Sequence, residues 1–118
     1  MPETLQIVTR SQRFAQQAYH RVHTRAGKRG NNEEYARFAK RFPALVHSCG
    51  LAQAIAFAQA KDFQDYLQDL EHVLGCTDLA QKSREAPFSE YLRLSREALA
   101  AAGWLKRYAE ALLETDNA

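Results

Sequence analysis

The chain has 118 residues, 46% of them hydrophobic, 10% aromatic and 25% charged, with a formal net charge of +2. That length suits a single domain over residues 1–118 with a modest core, and it argues against both intrinsic disorder and two separate cores. No apolar run approaches the roughly 20 residues of a membrane span, and Met1-Pro2-Glu3-Thr4 lacks the basic-then-apolar pattern of a secretory leader, so a cytoplasmic protein without membrane contact is expected.

Residues 5–26 read as a long helix, because Ile7, Val8, Ala15, Ala18, Tyr19, Val22 and Ala26 project onto one side at helical spacing. The segment Gly27-Lys28-Arg29-Gly30-Asn31-Asn32 breaks it with residues that tolerate left-handed backbone. A short helix follows from about Glu33, with Tyr35, Phe38, Ala39 and Phe42 facing inward. Pro43 has no amide donor, so it either begins the next helix or kinks a continuous one. Ala44 to Ala60 is apolar on most faces and reads as the most buried helix, interrupted at Gly50. Phe63 to Leu74 forms an amphipathic helix through Phe63, Tyr66, Leu67, Leu70, Val73 and Leu74, closed by Gly75.

Residues 76–88 read as a loop with room for one helical turn, ending at Pro87. Ser89 is a plausible cap for a short turn through Tyr91 and Leu92, and Ser95 for a final helix to about Glu114. That last helix carries Ala98, Ala101, Ala102, Leu105, Tyr108, Ala109 and Leu112 along one stripe. No window alternates as a strand does, so the expected fold is all-α, a single bundle of five to six helices.

The small net charge hides a division. Residues 1–41 hold nine Lys or Arg against three acids, a local balance of +6, whereas residues 42–118 balance at −4. A basic segment on a nearly neutral protein points to a polyanionic partner, although a solvated helix face gives the same pattern. Arg10, Arg13, Arg21 and Arg25 project onto an arc opposite the apolar stripe, and Phe14 falls within it. Arginines neutralise phosphates and an exposed aromatic offers a base a surface to stack on. The alternative for Phe14 is packing against another helix or subunit. Lys28, Arg29, Arg37, Lys40 and Arg41 add charge nearby. On the last helix Arg96, Gly103 and Arg107 share an outer face with Lys106 at its margin, and Glu110 and Glu114 stand within reach for ion pairs.

Catalytic chemistry finds no foothold. His20 and His23 share a helix at a spacing that could hold a metal, but a closed site needs further ligands, and His47, His72, Cys49 and Cys76 are scattered. Neighbours such as His47-Ser48-Cys49 point in different directions on a helix. Asp62, Asp65 and Asp69 read as a solvated face, and the two cysteines as reduced, buried thiols. No metal and no cofactor are implied.

Two stretches carry a resemblance. The first runs Tyr35-Ala-Arg-Phe-Ala-Lys-Arg-Phe-Pro-Ala-Leu-Val-His-Ser-Cys-Gly-Leu-Ala-Gln-Ala-Ile-Ala-Phe57, and the second Tyr91-Leu-Arg-Leu-Ser-Arg-Glu-Ala-Leu-Ala-Ala-Ala-Gly-Trp-Leu-Lys-Arg-Tyr-Ala-Glu-Ala111. In order and separation they resemble the small-subunit family of the Cmr complex, the type III-B CRISPR RNA-targeting effector of antiviral defence. The resemblance implies an all-α bundle without nuclease activity, stacked in several copies beside other Cmr subunits and touching guide and target RNA through basic surfaces. Lys40 and Arg41, and Lys106 and Arg107, match basic positions within the family blocks; Arg10, Phe14 and Arg21 rest on the helical projection alone. The expected function is therefore a non-catalytic RNA-backbone-binding subunit. Its rivals are a free-standing helical adaptor for an acidic protein and, with less support, a small hydrolase. Charge reversal of Arg10, Arg21 and Arg25 is expected to weaken RNA binding without unfolding the domain, and loss of Trp104 to destabilise it if that ring is buried.

Overall fold

The structure is a computed structural model that describes residues 8–28 and 32–113. Within them lie six helices, α1 (Arg10–Ala26), α2 (Asn32–Cys49), α3 (Leu51–Ala60), α4 (Gln64–Leu74), α5 (Leu79–Glu85) and α6 (Phe88–Leu112), and no strand. The molecule measures 45 × 38 × 20 Å. An α-helix with its side chains is about 10 Å across, so the thin dimension holds two helices and each has one face on water.

Helix α1 begins later than its apolar spacing implies. Thr9 and Gln12 form a reciprocal capping box, the Thr9 hydroxyl accepting from the Gln12 amide at 3.0 Å and the Gln12 side chain accepting from the Thr9 amide at 2.9 Å. That pair satisfies two orphan donors and fixes the start at Arg10. Pro43 lies inside the continuous helix α2, so the boundary falls at Gly50, where φ is +88°. An added Cβ at Gly50 would also stand 3.4 Å from the Tyr91 hydroxyl. That hydroxyl accepts from the Ala52 amide at 3.1 Å, capping α3 where Gly50 has no side chain to do so. Removing it by Tyr91→Phe is expected to cost about 1 kcal/mol, a fall of about 4 °C in a thermal melt. An unchanged melting point would show that water serves Ala52 equally well.

Gly75, at φ +73°, closes α4 in a left-handed turn in which the Cys76 amide donates to the Glu71 carbonyl at 3.1 Å. The expected loop then contains α5, anchored by buried Leu79, whose amide donates to the Glu71 carboxylate at 2.9 Å. The two pieces expected on either side of Ser95 are one helix of 25 residues. No Gly or Pro interrupts residues 88–95, and the Ser95 hydroxyl is buried without a partner instead of capping.

Both α1 and α2 lie along α6. Ala98, Ala101, Ala102 and Ala109 on α6 are fully buried, and their small side chains let two helices approach its axis. Beside aliphatic residues such as Leu51, Ile55, Leu70 and Leu105 the core holds an aromatic cluster: Phe38 lies parallel to Phe63 with centroids 4.1 Å apart and meets Tyr66 edge-on at 5.3 Å, and Phe42 packs on Tyr66 at 5.1 Å. Trp104 is only half-buried, so it does not carry the full cost of a core ring. No described helix is long and apolar enough to cross a membrane.

Candidate nucleic-acid interface

The inward face of α1 differs from the one its apolar residues mark. Phe14, Ala18 and Val22 are buried, whereas Val8 and Tyr19 are 41% and 44% exposed. At 100° per residue the buried direction is turned by roughly 50° toward the arginine arc. Phe14 is therefore a core ring, 3% exposed, with the Arg10 guanidinium 5.4 Å from its centroid. Its assignment as a base-stacking surface is corrected: the packing alternative holds.

Two of the four arginines are also drawn inward. Asp69, fully buried on α4, accepts from Arg21 Nε at 2.8 Å and from Arg25 Nη2 and Nε at 2.9 and 3.3 Å. It also accepts a short hydrogen bond from the Tyr35 hydroxyl. Arg25 reaches Asp65 at 3.5 Å and lies 4.2 Å from the Tyr35 ring centroid. Burial alone would lower the Arg25 pKa, but the Asp69 carboxylate, helped by Tyr35 and Asp65, turns the net shift upward. The same cluster corrects two readings. Asp69 is not part of a solvated face, although Asp62 and Asp65 are exposed. Reversing the charge of Arg21 or Arg25 would strip the partners from a buried carboxylate, so these positions are bound to stability.

The node still leaves positive charge outward. Asp69 and Asp65 offset the two guanidiniums, so that charge is the exposed Lys28 ammonium beside them, while Arg21 offers Asp69 its Nε, which leaves its terminal amino groups available. A cavity of about 180 Å³ opens there, lined by His20, Arg21, Thr24, Arg25, Lys28 and Asp69. Arg21 and Thr24 stand three residues apart on one side of α1, and Lys28 follows just past the helix end at Gly27. Such a hollow, with fixed N–H donors, a hydroxyl and a mobile ammonium, matches a phosphate group.

The other sequence-derived cations are dispersed. Arg10 pairs with Glu97 at 3.7 Å, and Glu97 also meets Arg93 at 3.9 Å. Arg13, Lys28, Arg37 and Arg107 are exposed and Lys106 half-buried, none in an ion pair among the described residues. The expected pairing of Lys106 or Arg107 with Glu110 is thus absent among these residues, and Glu114 lies outside them. Lys40 is half-buried on α2 and Arg41 packs 5.4 Å from the Phe57 centroid. Arg29 lies outside the described residues. His20 and His23 are both exposed, and no group of three or more metal-ligating side chains occurs among the described residues. Cys49 is exposed and Cys76 half-buried, so the thiols are free but not the buried pair expected.

A further feature has only a partial signature in the sequence. Trp104 stacks on Tyr108 at 5.9 Å, Tyr108 meets Tyr19 edge-on at 5.4 Å, and Tyr19 stacks on His23 at 5.3 Å. The ladder joins α6 to α1 with half its rings in reach of solvent. A helical projection could reveal Tyr19 and His23 as neighbours, but not their cross-helix partners.

Comparison with known proteins decides the family. The family model described as CRISPR-associated protein (Cas_Cmr5) matches residues 10–112. The chain belongs to the Cmr5 family. It is 46% identical over 112 residues to the CRISPR system Cmr subunit Cmr5 of Thermus thermophilus, covering 90% of this chain and 97% of that protein. It is also similar to the X-ray crystal structure of a CRISPR-associated Cmr5 family protein from Thermus thermophilus, with a TM-score of 0.85 at 45% identity. That alignment covers 92% of this chain and all (100%) of the other. The Cmr5 family match spans both sequence blocks, and the all-α bundle agrees with what they imply.

Proposed function

We propose that this chain is the small subunit of a CRISPR Cmr effector complex, acting in the cytoplasm as a non-catalytic binder of RNA backbone along the guide–target region. In this reading it assembles with other Cmr subunits and with further copies of itself. Family membership supports the complex, and one observation carries the RNA contact: the α1 hollow, where buried Asp69 holds Arg21 beside Thr24 and Lys28. A guanidinium held by a carboxylate behind it is pre-organised for an anion in front, so little rotamer freedom is lost on binding. Phosphate contacts carry no base information, so binding through this hollow is indifferent to sequence, and repeated copies multiply a weak contact.

Arrangement supports the non-catalytic reading. His47, Ser48 and Cys49 are exposed at the end of α2 with no hydrogen bond among them, and His20 and His23 face solvent on α1. No Ser, Thr or Cys side chain shares a hydrogen bond with a His, Asp or Glu side chain among the described residues.

The test is a salt titration of RNA binding in the assembled complex. Affinity is expected to fall steeply with salt, and Lys28→Gln with Arg37→Gln should lessen the logarithmic slope by about 1.4, or 0.7 for each lost phosphate contact, without moving the melting point. A slope unchanged by the double substitution would remove the basic-face reading. Recovery of an acidic protein instead of RNA on co-purification would favour the adaptor.

A further inference from the structure

On the far side of the Asp69 node lies a second hollow of about 400 Å³, between the start of α2 and the turn joining α3 to α4. Its apolar wall is Phe57 and Phe63, both half-buried. Both rings lie parallel to buried Phe38, at 5° and 7°, so their planes are fixed by the core. Two cations stand over Phe57, Arg41 at 5.4 Å and Lys61 at 5.9 Å. The rim also carries the exposed carboxylates Glu34 and Asp62.

We propose that this hollow seats one unpaired base of a single-stranded RNA, stacked against Phe57 and Phe63 and flanked by Arg41 and Lys61. The inference rests on the RNA-binding reading above and extends it from backbone to base. Aromatic and guanidinium planes are the surfaces on which single-stranded bases stack, and a duplex hides those base faces. The two hollows share a wall. Tyr35 and Asp65 line the second, while Tyr35 bonds Asp69 and Asp65 pairs with Arg25, and both Asp69 and Arg25 line the first. The hollows are therefore neighbours, one suited to a phosphate at Arg21 and Lys28 and the other to a base at Phe57.

Charge sorts the occupant. Carboxylates on the rim repel a phosphate but accept from an exocyclic amino group, so Glu34 and Asp62 favour cytosine over uracil, which presents a carbonyl in the same place. This preference would sit on top of the sequence-indifferent backbone contact.

The experiment uses the full chain and fluorescence anisotropy with three labelled oligonucleotides of equal length: oligocytidylate, oligouridylate and an abasic ribose-phosphate strand. Oligocytidylate should bind several-fold tighter than oligouridylate, and the abasic strand roughly tenfold more weakly than oligocytidylate. Phe57→Leu should bring all three to the abasic level while leaving the salt slope unchanged. If that variant does not fold, Arg41→Gln with Lys61→Gln, both at the surface, should narrow the gap between oligocytidylate and the abasic strand. Glu34→Gln with Asp62→Asn should remove the cytosine preference alone. Equal binding of all three strands by the unaltered chain would overturn the base seat and leave the backbone reading standing. No binding of any strand, at low salt, would instead defeat the RNA reading itself. A Phe57→Leu chain that binds all three strands normally but fails to join the Cmr complex would make the hollow a seat for protein.

Discussion

Replacing Asp69 with asparagine is expected to destabilise the domain by about 3 kcal/mol, the lower end of the range for breaking a buried ion pair from one side. Asp69 is fully buried and receives donors from Arg21, Arg25 and Tyr35. An amide keeps the shape but not the charge, and turns one acceptor into a donor that faces donors. The guanidiniums retain 28% and 23% side-chain exposure, so water recovers part of the loss, which is why the lower end applies. The consequence is a melting point lower by at least about 12 °C for a domain of this size. Arg10→Gln is the control: its partner Glu97 is at 3.7 Å and its side chain is 53% exposed, so the loss should stay under about 1 kcal/mol. If the two variants melt within a few degrees of each other, the Asp69 cluster contributes no more than an ordinary surface pair.

The same cluster explains why the helices were legible in the sequence and the site was only half so. Apolar spacing, Gly27, Gly50 and Gly75 mark most element ends because those signals are local. The face of α1 is a tertiary property. Helical projection turns Arg21 and Arg25 outward because their partner lies 48 and 44 residues away in the chain. One signal could have found it: on α4, Asp69 falls within the inward row Tyr66, Leu70 and Val73, a lone acid on an apolar side. A buried carboxylate needs a cationic partner, and the only basic surplus is the N-terminal segment. Following that demand would have turned α1, buried Phe14 and kept Lys28 outward. By contrast Pro43 and Ser95 carried real local signals that packing overrode, since α2 and α6 continue through them. The second hollow was beyond any projection, because Arg41 on α2 meets Phe57 on α3 across the bundle and Phe63 joins the wall from the turn before α4.

Above pH 10 the domain is expected to lose stability at a rate set by two tyrosines beside that carboxylate. Burial pushes the Tyr35 and Tyr66 hydroxyls far above the ordinary phenol value of 10.0, and the Asp69 carboxylate adds to both shifts. Their folded pKa values are raised, so the stability they contribute is fully present below the unfolded value and is lost as pH climbs beyond it. Each group removes about 1.4 kcal/mol per pH unit, roughly 2.7 kcal/mol for the pair. Within about two pH units the loss rivals the 5–15 kcal/mol that holds a small domain together. Unfolding should therefore precede ionisation: the tyrosinate absorbance of these two rings should rise at the same pH at which the helical circular dichroism collapses. Tyr35→Phe discriminates the cause, because Phe cannot ionise. It should lower stability at neutral pH, through the lost bond to Asp69, yet halve the slope above pH 10 in denaturant titrations to about 1.4 kcal/mol per unit. A slope that Tyr35→Phe leaves unchanged would assign the alkaline limit to other groups, and with it would go the claim that a buried negative charge organises this side of the bundle.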